Sequence, residues 1–279
     1  MTRAFSPSRY VGGLSFTVIS LIDASSVLVT EAMNLTDPDR NMENVHRSRP
    51  GVSVHFANAF NIAIACKDAD YARLLNSADY VFSDGVPVTW VGRIAYPNEA
   101  EQWERVYGPD VMNMTLASST EDGPTHYLLG GTPEVLAHLE DAIRVKYPAA
   151  QIVGAESPPF REPTTQDLID RDKRILASGA EMVWVGLGTP KQDYEVARLA
   201  VTMPVVALAV GAAFDFIAGT TSQAPVWMQR SGLEWTYRLS REPRRLGRRY
   251  IWGNSVFLLE ASRTLRRSHR QNRKAPRIK

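Results

Sequence analysis

Short apolar runs alternate with amphipathic stretches through the central two thirds of the chain. The apolar runs predict six strands, at residues 51–56, 78–82, 126–129, 151–154, 181–185 and 204–210. The amphipathic stretches predict helices at residues 59–77, 132–147, 168–177 and 191–200. Strand, tight turn and helix in repeated order predict an α/β fold, a Rossmann-like parallel sheet with flanking helices. In such folds ligands bind at the carboxyl ends of the strands.

The strand pattern ends near Pro225. Two helices are predicted beyond it without intervening strands, at residues 226–240 and from Pro243 to about residue 270. Residues 271–279 are expected to be disordered, and the polar residues 34–50 to form a loop. The pattern therefore predicts three segments, which are an N-terminal segment (1–50), an α/β body (51–228) and a basic helical appendage with a disordered end (229–279).

The distribution of charged residues changes near the point where the strand pattern ends. Residues 230–279 hold 15 basic and 3 acidic residues, a net charge of +12, whereas the other 229 residues carry a net charge of −10. Aromatic and aliphatic residues alternate with the arginines, which is typical of a segment that lies on an anionic membrane or a nucleic acid. The alternative is a solvated helix face packed on the body. The apolar run 250–259 is too short to cross a bilayer, so we expect this segment to lie on a membrane.

Several classes of site are excluded or disfavoured. A single cysteine, Cys66, excludes an internal disulfide, fits a reducing compartment, and is expected to be buried. The spacings typical of P-loops and of His/Cys metal sites are missing. The glycine-rich loop 186–190 has Lys191 where a dinucleotide-binding loop needs its third glycine. Asp68 and Asp70 form a pattern that binds metal in many sugar transferases, but they fall within a predicted helix, which favours a solvated surface.

Three positions combine a polar side chain with the end of a predicted strand. Asp84 lies between such a strand and Gly85, where its carboxylate suits a general base or a helix cap. Lys191 and Gln192 lie at a predicted helix N-terminus, which suits a diphosphate or an ordinary capped turn. Asp215 follows the last strand and Gly211, where it either faces the strand-end crevice or braces a loop.

Five segments together resemble the WecG/TagA/CpsF family of bacterial glycosyltransferases over about residues 50–258. They are Ala78–Val86, Arg105–Asp110, Leu128–Gly131 with Lys146–Pro148, Val185–Gln192, and the long signature Gly211–Tyr250. The resemblance implies inverting transfer of a sugar from a UDP-sugar to an acceptor sugar that is linked through diphosphate to undecaprenol. The donated sugar would be similar to N-acetylmannosamine, glucose or a uronate, and the product a cell-wall polymer or exopolysaccharide.

The resemblance also implies roles for individual residues. Asp84 would be the general base, and Arg238, Arg245 and Arg248 would meet the lipid diphosphate or the leaving UDP when the appendage closes as a lid. The implied substrate-binding residues are Asn58, Arg105, Gly130, Gly131, Lys191, Gln192 and Asp215. No cofactor or metal is expected, the enzyme is expected to be cytoplasmic and peripheral at the inner face of the plasma membrane, and a homo-oligomer stays open.

Two places in the sequence depart from the family pattern. Phe56 replaces the usual Thr, which removes a hydroxyl from the substrate loop, and residues 156–160 replace the usual Tyr-Phe segment.

Two other functions stay open, a nicotinamide-dependent oxidoreductase and a protein that binds nucleic acid through its basic tail. The missing glycine argues against the first and the acidic body against the second, so we expect no nucleic-acid partner. We also expect the body to fold after deletion of residues 230–279.

Overall fold

A computed structural model of the chain describes residues 7–36 and 49–274, with backbone only at Arg245, Arg249 and residues 271–274. Its strands are β1 (Ser8–Val11), β2 (Leu14–Thr17), β3 (Val52–Ala57), β4 (Tyr80–Ser83), β5 (His126–Gly130), β6 (Ile152–Glu156), β7 (Met182–Gly186) and β8 (Val206–Ala209). The first two form an antiparallel hairpin, and the other six form a sheet in the order β4-β3-β8-β7-β5-β6. The registered pairs of that sheet are parallel, which confirms the predicted fold class.

The central strands are buried along their length because helices cover both faces of a parallel sheet. The helices are α1 (Leu21–Thr36), α2 (Ala59–Ala65), α3 (Ala69–Asn76), α4 (Val86–Ala95), α5 (Gly108–Ala117), α6 (Pro133–Lys146), α7 (Thr165–Ser178), α8 (Lys191–Thr202), α9 (Ala213–Ile217), α10 (Val226–Arg230), α11 (Glu234–Arg241) and α12 (Pro243–Lys274). Local capping sets several of their ends. The Thr132 side chain accepts from the Val135 amide at the start of α6, and Gly179 adopts a left-handed conformation after α7.

The prediction of one continuous helix at residues 59–77 is wrong, because the chain forms two helices there, α2 and α3. Asp68 has extended backbone dihedrals, and its carboxylate accepts hydrogen bonds from the Asp70 and Tyr71 amides, so it caps α3. Cys66 is exposed at the end of α2, which corrects its predicted burial. Asp70 pairs with Arg73 on the surface, as expected for a solvated helix face.

Three further expectations change in the structure. The predicted helix at 226–240 is divided into α10 and α11, because Gly232 adopts a left-handed conformation with φ +70° between them. Residues 34–36 of the expected loop at 34–50 belong to α1, and residues 37–48 lie outside the described residues. The expected disordered end is helical as far as residue 274, and residues 275–279 lie outside the description.

The chain forms two compact units. The first unit comprises Met1–Leu21, Phe56–Tyr107 and Gln223–Lys279, and the second unit comprises Ile22–His55 and Gly108–Ser222. These units are spatial clusters and do not test the three segments expected from the sequence, which stay predictions.

The core of the first unit includes part of the basic appendage. Phe257 and Ala261 of α12 are buried in the same cluster as Phe16 and Trp103. Phe60 of α2 also packs edge-to-face on Trp252, with ring centroids 6.0 Å apart. We therefore expect deletion of residues 230–279 to expose this core and destabilise the first unit, contrary to the expectation from sequence. Among the helices of the described ranges, none is both long and apolar enough to cross a membrane.

Candidate active site

Asp84 directly follows β4 and lies in a turn that is held from three directions. The Asp84 amide donates to the Ala57 carbonyl at 3.0 Å, and the Asp84 carbonyl accepts from Arg105 Nε at 2.8 Å. Asn58 Nδ2 donates to Asp84 Oδ2 at 3.2 Å. The half-buried carboxylate therefore has a defined position and an amide donor beside it.

Asn58 has this orientation because its amide serves two elements. Its side-chain oxygen accepts from the Phe60 amide at 2.9 Å and caps α2, while its backbone amide donates to Asn61 Oδ1 at 3.1 Å. The side-chain nitrogen is then directed to Asp84. Asn61 is itself held by the Tyr71 hydroxyl, with 2.8 Å between Nδ2 and that oxygen.

A partly buried charged cluster lies beside Asp84 and consists of Arg105, Tyr107, Glu234 and Arg238, called here the Glu234 cluster. Arg105 stacks on the Tyr107 ring, 3.8 Å from its centroid, and forms an ion pair with Glu234. Glu234 Oε1 accepts from the Tyr107 hydroxyl at 3.1 Å and lies 2.6 Å from Arg238 Nη2. Arg238 also donates to the Tyr107 hydroxyl at 2.8 Å. Helix α11 is thereby joined to the segment that follows β4.

Three members of the cluster, Glu234, Tyr107 and Arg238, have shifted pKa values. Burial alone would raise the pKa of Glu234, but Arg238 and Arg105 outweigh it and hold that pKa below its ordinary value. Burial raises the pKa of Tyr107, so this residue stays a neutral phenol. Burial would lower the pKa of Arg238, yet Tyr107, Glu234 and Asp84 are among the groups that raise it. Asp84 therefore lies close enough to act electrostatically on the cluster.

Two more arginines of the appendage, Arg245 and Arg248, were expected to meet a diphosphate. Arg248 is exposed on α12, and the side chain of Arg245 lies outside the described residues. Leu246 on the same helix is buried.

In the second unit, Gly130 and Gly131 form a turn that only glycine can form without strain. Their φ values are +132° and +69°, and a Cβ at Gly130 would lie 2.5 Å from the Gly186 carbonyl oxygen. The Gly131 carbonyl accepts from Ser157 Oγ at 2.7 Å. Gly130 is therefore packed against the neighbouring strand, whereas Gly131 is exposed and has no side chain that would block close approach of a ligand.

Gln192 and Lys191 lie together at the start of α8 but have different surroundings. Gln192 is buried, with Oε1 accepting from the Gly188 amide at 3.0 Å and Nε2 donating to the Ala209 carbonyl at 3.1 Å. Lys191 is exposed, and its Nζ lies 2.8 Å from Glu162 Oε1. Gln192 thus braces the loop that presents Lys191 and the helix N-terminus.

Asp215 lies in the short helix α9, two residues after Ala213. Its backbone carbonyl accepts from Thr220 Oγ1 at 3.1 Å and from the Thr221 amide at 3.2 Å. Its carboxylate Oδ1 lies 3.5 Å from Thr220 Oγ1. Asp215 therefore closes the turn that follows α9.

Sequence reasoning missed three groups. Tyr107 and Glu234 fall within the motifs that carry the resemblance, and that position was the only signal for them. The third group is a buried pair in which His55 Nδ1 lies 3.0 Å from Asp193 Oδ1, both side chains being almost fully buried. A histidine within the apolar strand β3 was its signal.

Phe56, the departure from the family pattern, is a core residue in the structure. Its ring is buried, and its centroid lies 5.7 Å from that of Phe82 on β4. The substituted side chain therefore packs within the first unit, where a Thr hydroxyl would need a hydrogen-bond partner.

The structure brings together Asp84, Asn58, Arg105 and Arg238 in the first unit. Gly130, Gly131, Lys191, Gln192 and Asp215 belong to the second unit. Within the described ranges, no group of three or more His, Cys, Asp or Glu side chains could hold a metal ion. The model of the glycosyl transferase WecG/TagA/CpsF family matches residues 28–271, most of the chain, so this chain belongs to that family of glycosyltransferases of polysaccharide synthesis.

Proposed function

We propose that this glycosyltransferase transfers a sugar, with inversion, from a UDP-sugar to a sugar carried on undecaprenyl diphosphate, in cell-wall or exopolysaccharide synthesis. The observation that carries the proposal is the fixed carboxylate of Asp84 beside the guanidinium groups of Arg105 and Arg238. A base and cationic groups are the two requirements of a reaction that deprotonates a hydroxyl and releases a diphosphate.

Asp84 is the base in this mechanism. The acceptor hydroxyl oxygen attacks the anomeric carbon of the donor, and its proton passes to the Asp84 carboxylate. The bond between the anomeric carbon and the diphosphate oxygen breaks, and its electron pair leaves with UDP. Attack from the face opposite the leaving group inverts the anomeric carbon. Asn58 keeps the carboxylate in place through its amide hydrogen bond.

Arginine side chains neutralise the diphosphate in this proposal, and no metal ion is required. Arg105 and Arg238 supply planar donors that suit phosphate oxygens. Arg245 and Arg248, on the helix that follows, are proposed to meet the lipid diphosphate or the leaving UDP. We expect excess EDTA to leave the initial rate unchanged, whereas a loss restored by Mg²⁺ would contradict this part of the proposal.

The UDP-sugar is proposed to bind the second unit through the Gly130–Gly131 turn, Lys191, Gln192 and Asp215. The positive N-terminus of α8, which attracts phosphate groups, and the exposed Gly131, which has no side chain to block a ligand, support this assignment. The buried Gln192 would act by holding the loop in shape.

An anionic membrane, at the cytoplasmic face of the plasma membrane, is the proposed location of the reaction. One outward face of α12 carries Ile251, which is 74 % exposed, and Leu258, which is 67 % exposed, between exposed arginines at 244, 248 and 266. Apolar groups flanked by cations suit the boundary between lipid headgroups and acyl chains. An enzyme placed there meets an acceptor that cannot leave the bilayer.

Vesicle sedimentation tests the membrane contact. Wild-type protein should bind anionic vesicles, bind neutral vesicles weakly, and be released by salt. Replacing Ile251 and Leu258 by Glu should abolish binding, while Leu176→Glu on the exposed face of α7 should not. Equal binding by both variants would refute the assignment of this face.

The transfer itself is tested by measuring UDP release from a panel of UDP-sugars with and without a polyprenyl-diphosphate-linked sugar acceptor. Acceptor-dependent release with one donor supports the proposal, and its absence with every donor contradicts it. A cofactor-quenching titration and a duplex-DNA binding assay address the two alternatives from sequence, an oxidoreductase and a nucleic-acid-binding protein. Membership of a glycosyltransferase family already disfavours both.

A further inference from the structure

Glu234 occupies an unusual position among the groups beside Asp84. Its two carboxylate oxygens contact three different side chains, those of Arg105, Tyr107 and Arg238. The side chain is only 16 % exposed, so water replaces few of these contacts. A partly buried carboxylate that pairs with two guanidinium groups at once restricts the orientation of both.

The first consequence concerns the turn that carries Asp84. Arg105 donates through Nε to the Asp84 carbonyl and reaches Glu234 through its terminal nitrogen. The Tyr107 ring supports the flat face of the same guanidinium. Glu234 is therefore connected through one side chain to the backbone of the candidate base.

The second consequence concerns Arg238. A free arginine side chain samples many rotamers, and this freedom is lost when the side chain is held in one orientation. Arg238 lies one helical turn after Glu234 on α11, and the carboxylate and the Tyr107 hydroxyl both hold its Nη2. A donor that is oriented before the substrate arrives stabilises developing charge without reorganisation.

We propose that Glu234 is a positioning residue for the transfer reaction, acting through Arg105 on the Asp84 turn and directly on Arg238. This inference rests on the proposed function, since it assigns Glu234 a part in the same reaction. Glu234 does not itself exchange a proton with the acceptor in this scheme.

Charge explains why a carboxylate is needed rather than a neutral hydrogen-bonding group. Before the reaction, the positive charges of Arg105 and Arg238 are balanced by Glu234 and the nearby Asp84. When Asp84 takes the acceptor proton, one negative charge disappears, and the surplus positive charge coincides with the extra negative charge on the departing UDP. The lowered pKa of Glu234 keeps its carboxylate ionised, so it does not compete for the acceptor proton.

The test compares Glu234→Gln with Glu260→Gln in the full-length enzyme. Glu260 lies in the same unit, pairs with Arg263 on its own helix, and has the same 16 % exposure, so it is a matched control for loss of one charge. We expect Glu234→Gln to lower kcat about 10- to 100-fold, because misplacement of catalytic groups by about 1 Å has effects of that size. The KM for the UDP-sugar should change less than about threefold, since the inference places Glu234 out of contact with donor.

Glu260→Gln should keep the wild-type kcat. Tyr107→Phe provides an independent variant because it keeps the ring below Arg105 and removes the hydroxyl shared by Glu234 and Arg238. Its kcat should fall by a smaller factor, about 3- to 10-fold, with the donor KM again unchanged. This variant decides the matter if Glu234→Gln fails to fold in a thermal melt.

Different results separate this inference from the proposed function. A wild-type enzyme that releases no UDP with any donor and acceptor refutes the function. An active wild type together with an unchanged kcat in Glu234→Gln overturns the inference alone. Equal losses in Glu234→Gln and Glu260→Gln, or a raised donor KM at constant kcat, also overturn it, because they indicate a general charge effect or a binding role.

Discussion

The Glu234 cluster of the first unit and an ion-pair network of the second unit use the same chemistry to different ends. The second-unit network, called here the Glu195 network, joins three arginines to three carboxylates, namely Arg171, Arg174, Arg198, Glu156, Asp172 and Glu195. Its positive and negative charges are equal in number and stay so. It joins β6, α7 and α8, and none of its members is a candidate catalytic residue.

The Glu234 cluster differs because its balance depends on Asp84. Two guanidinium groups face one carboxylate within the cluster, and Asp84 is the further negative group that acts on it. A proton taken up by Asp84 leaves the cluster positive, whereas no step of the proposed reaction changes the Glu195 network. We infer that an ion network with equal numbers of positive and negative groups stabilises the fold, whereas one with a surplus positive group can also bind an anionic substrate.

The largest effect is expected at Asp84. Asp84→Asn keeps the shape and the contact with Asn58 but removes the base, so kcat should fall about 10²- to 10⁴-fold. The melting temperature should stay near that of the wild type. Asp70→Asn, at a surface carboxylate of the same unit, should keep full activity. Turnover within about threefold of wild type in Asp84→Asn would remove Asp84 from the role of base.

A substitution in the Glu195 network should lower the free energy of unfolding and leave kcat unchanged. Arg171→Met removes a guanidinium that is 3 % exposed and leaves Glu156 and Glu195 partly unpaired. Breaking a buried pair costs about 3–5 kcal/mol, so urea unfolding should show a loss of that size. The kcat of the folded variant, assayed well below its melting temperature, should match the wild type. A fall in kcat with intact stability would contradict the distinction between the two clusters.

A smaller catalytic effect is expected at Arg238. Arg238→Lys keeps the charge but loses the planar guanidinium whose Nη2 contacts both Glu234 and Tyr107, so kcat should fall about 10-fold. Arg241→Lys, on the exposed side of the same helix, is the control and should be silent. Equal activity of both variants would show that charge alone suffices at position 238.

The smallest effect concerns pH. Burial would raise the pKa of Glu195, but Arg198 and Arg171 outweigh it and hold the pKa below its ordinary value of 4.5. A lowered pKa in the folded state means that this stabilisation is complete above about pH 4.5 and is lost as the pH falls below it. Unfolding experiments between pH 6 and pH 3 should therefore show a steeper loss of stability for wild type than for Glu195→Gln. Parallel curves would indicate that Glu195 does not contribute through its charge.

Much of the fold could be predicted from the sequence because its signals are local. Apolar runs of four to seven residues located every strand of the parallel sheet, and Thr132 and Pro243 marked helix starts correctly. The breaks at Asp68 and Gly232 were missed, because a single capping residue or left-handed glycine interrupts an otherwise continuous helical pattern. Cys66 was misplaced since its apolar neighbours suggested burial, although it lies at an exposed helix end.

The candidate site was predictable to a lesser degree. Asp84 could be identified from its place between a strand and a glycine, and Arg238 only through the family motif. Their common neighbours Glu234 and Tyr107 lie more than a hundred residues apart along the chain, and no periodic pattern relates them. Contacts at such separation follow from the packing of α11 in the first unit, which pattern analysis does not reach.

The sequence by itself determined the α/β class, the six strands of the parallel sheet, the basic C-terminal helix and the glycosyltransferase family. These follow from hydrophobic periodicity, turn residues and motifs, all of which act over short stretches of chain. Only the tertiary structure decided that α12 belongs to the core of the first unit and that Glu234 holds two arginines beside Asp84. Burial and ion pairing depend on which distant segments meet, and that is a property of the packed chain.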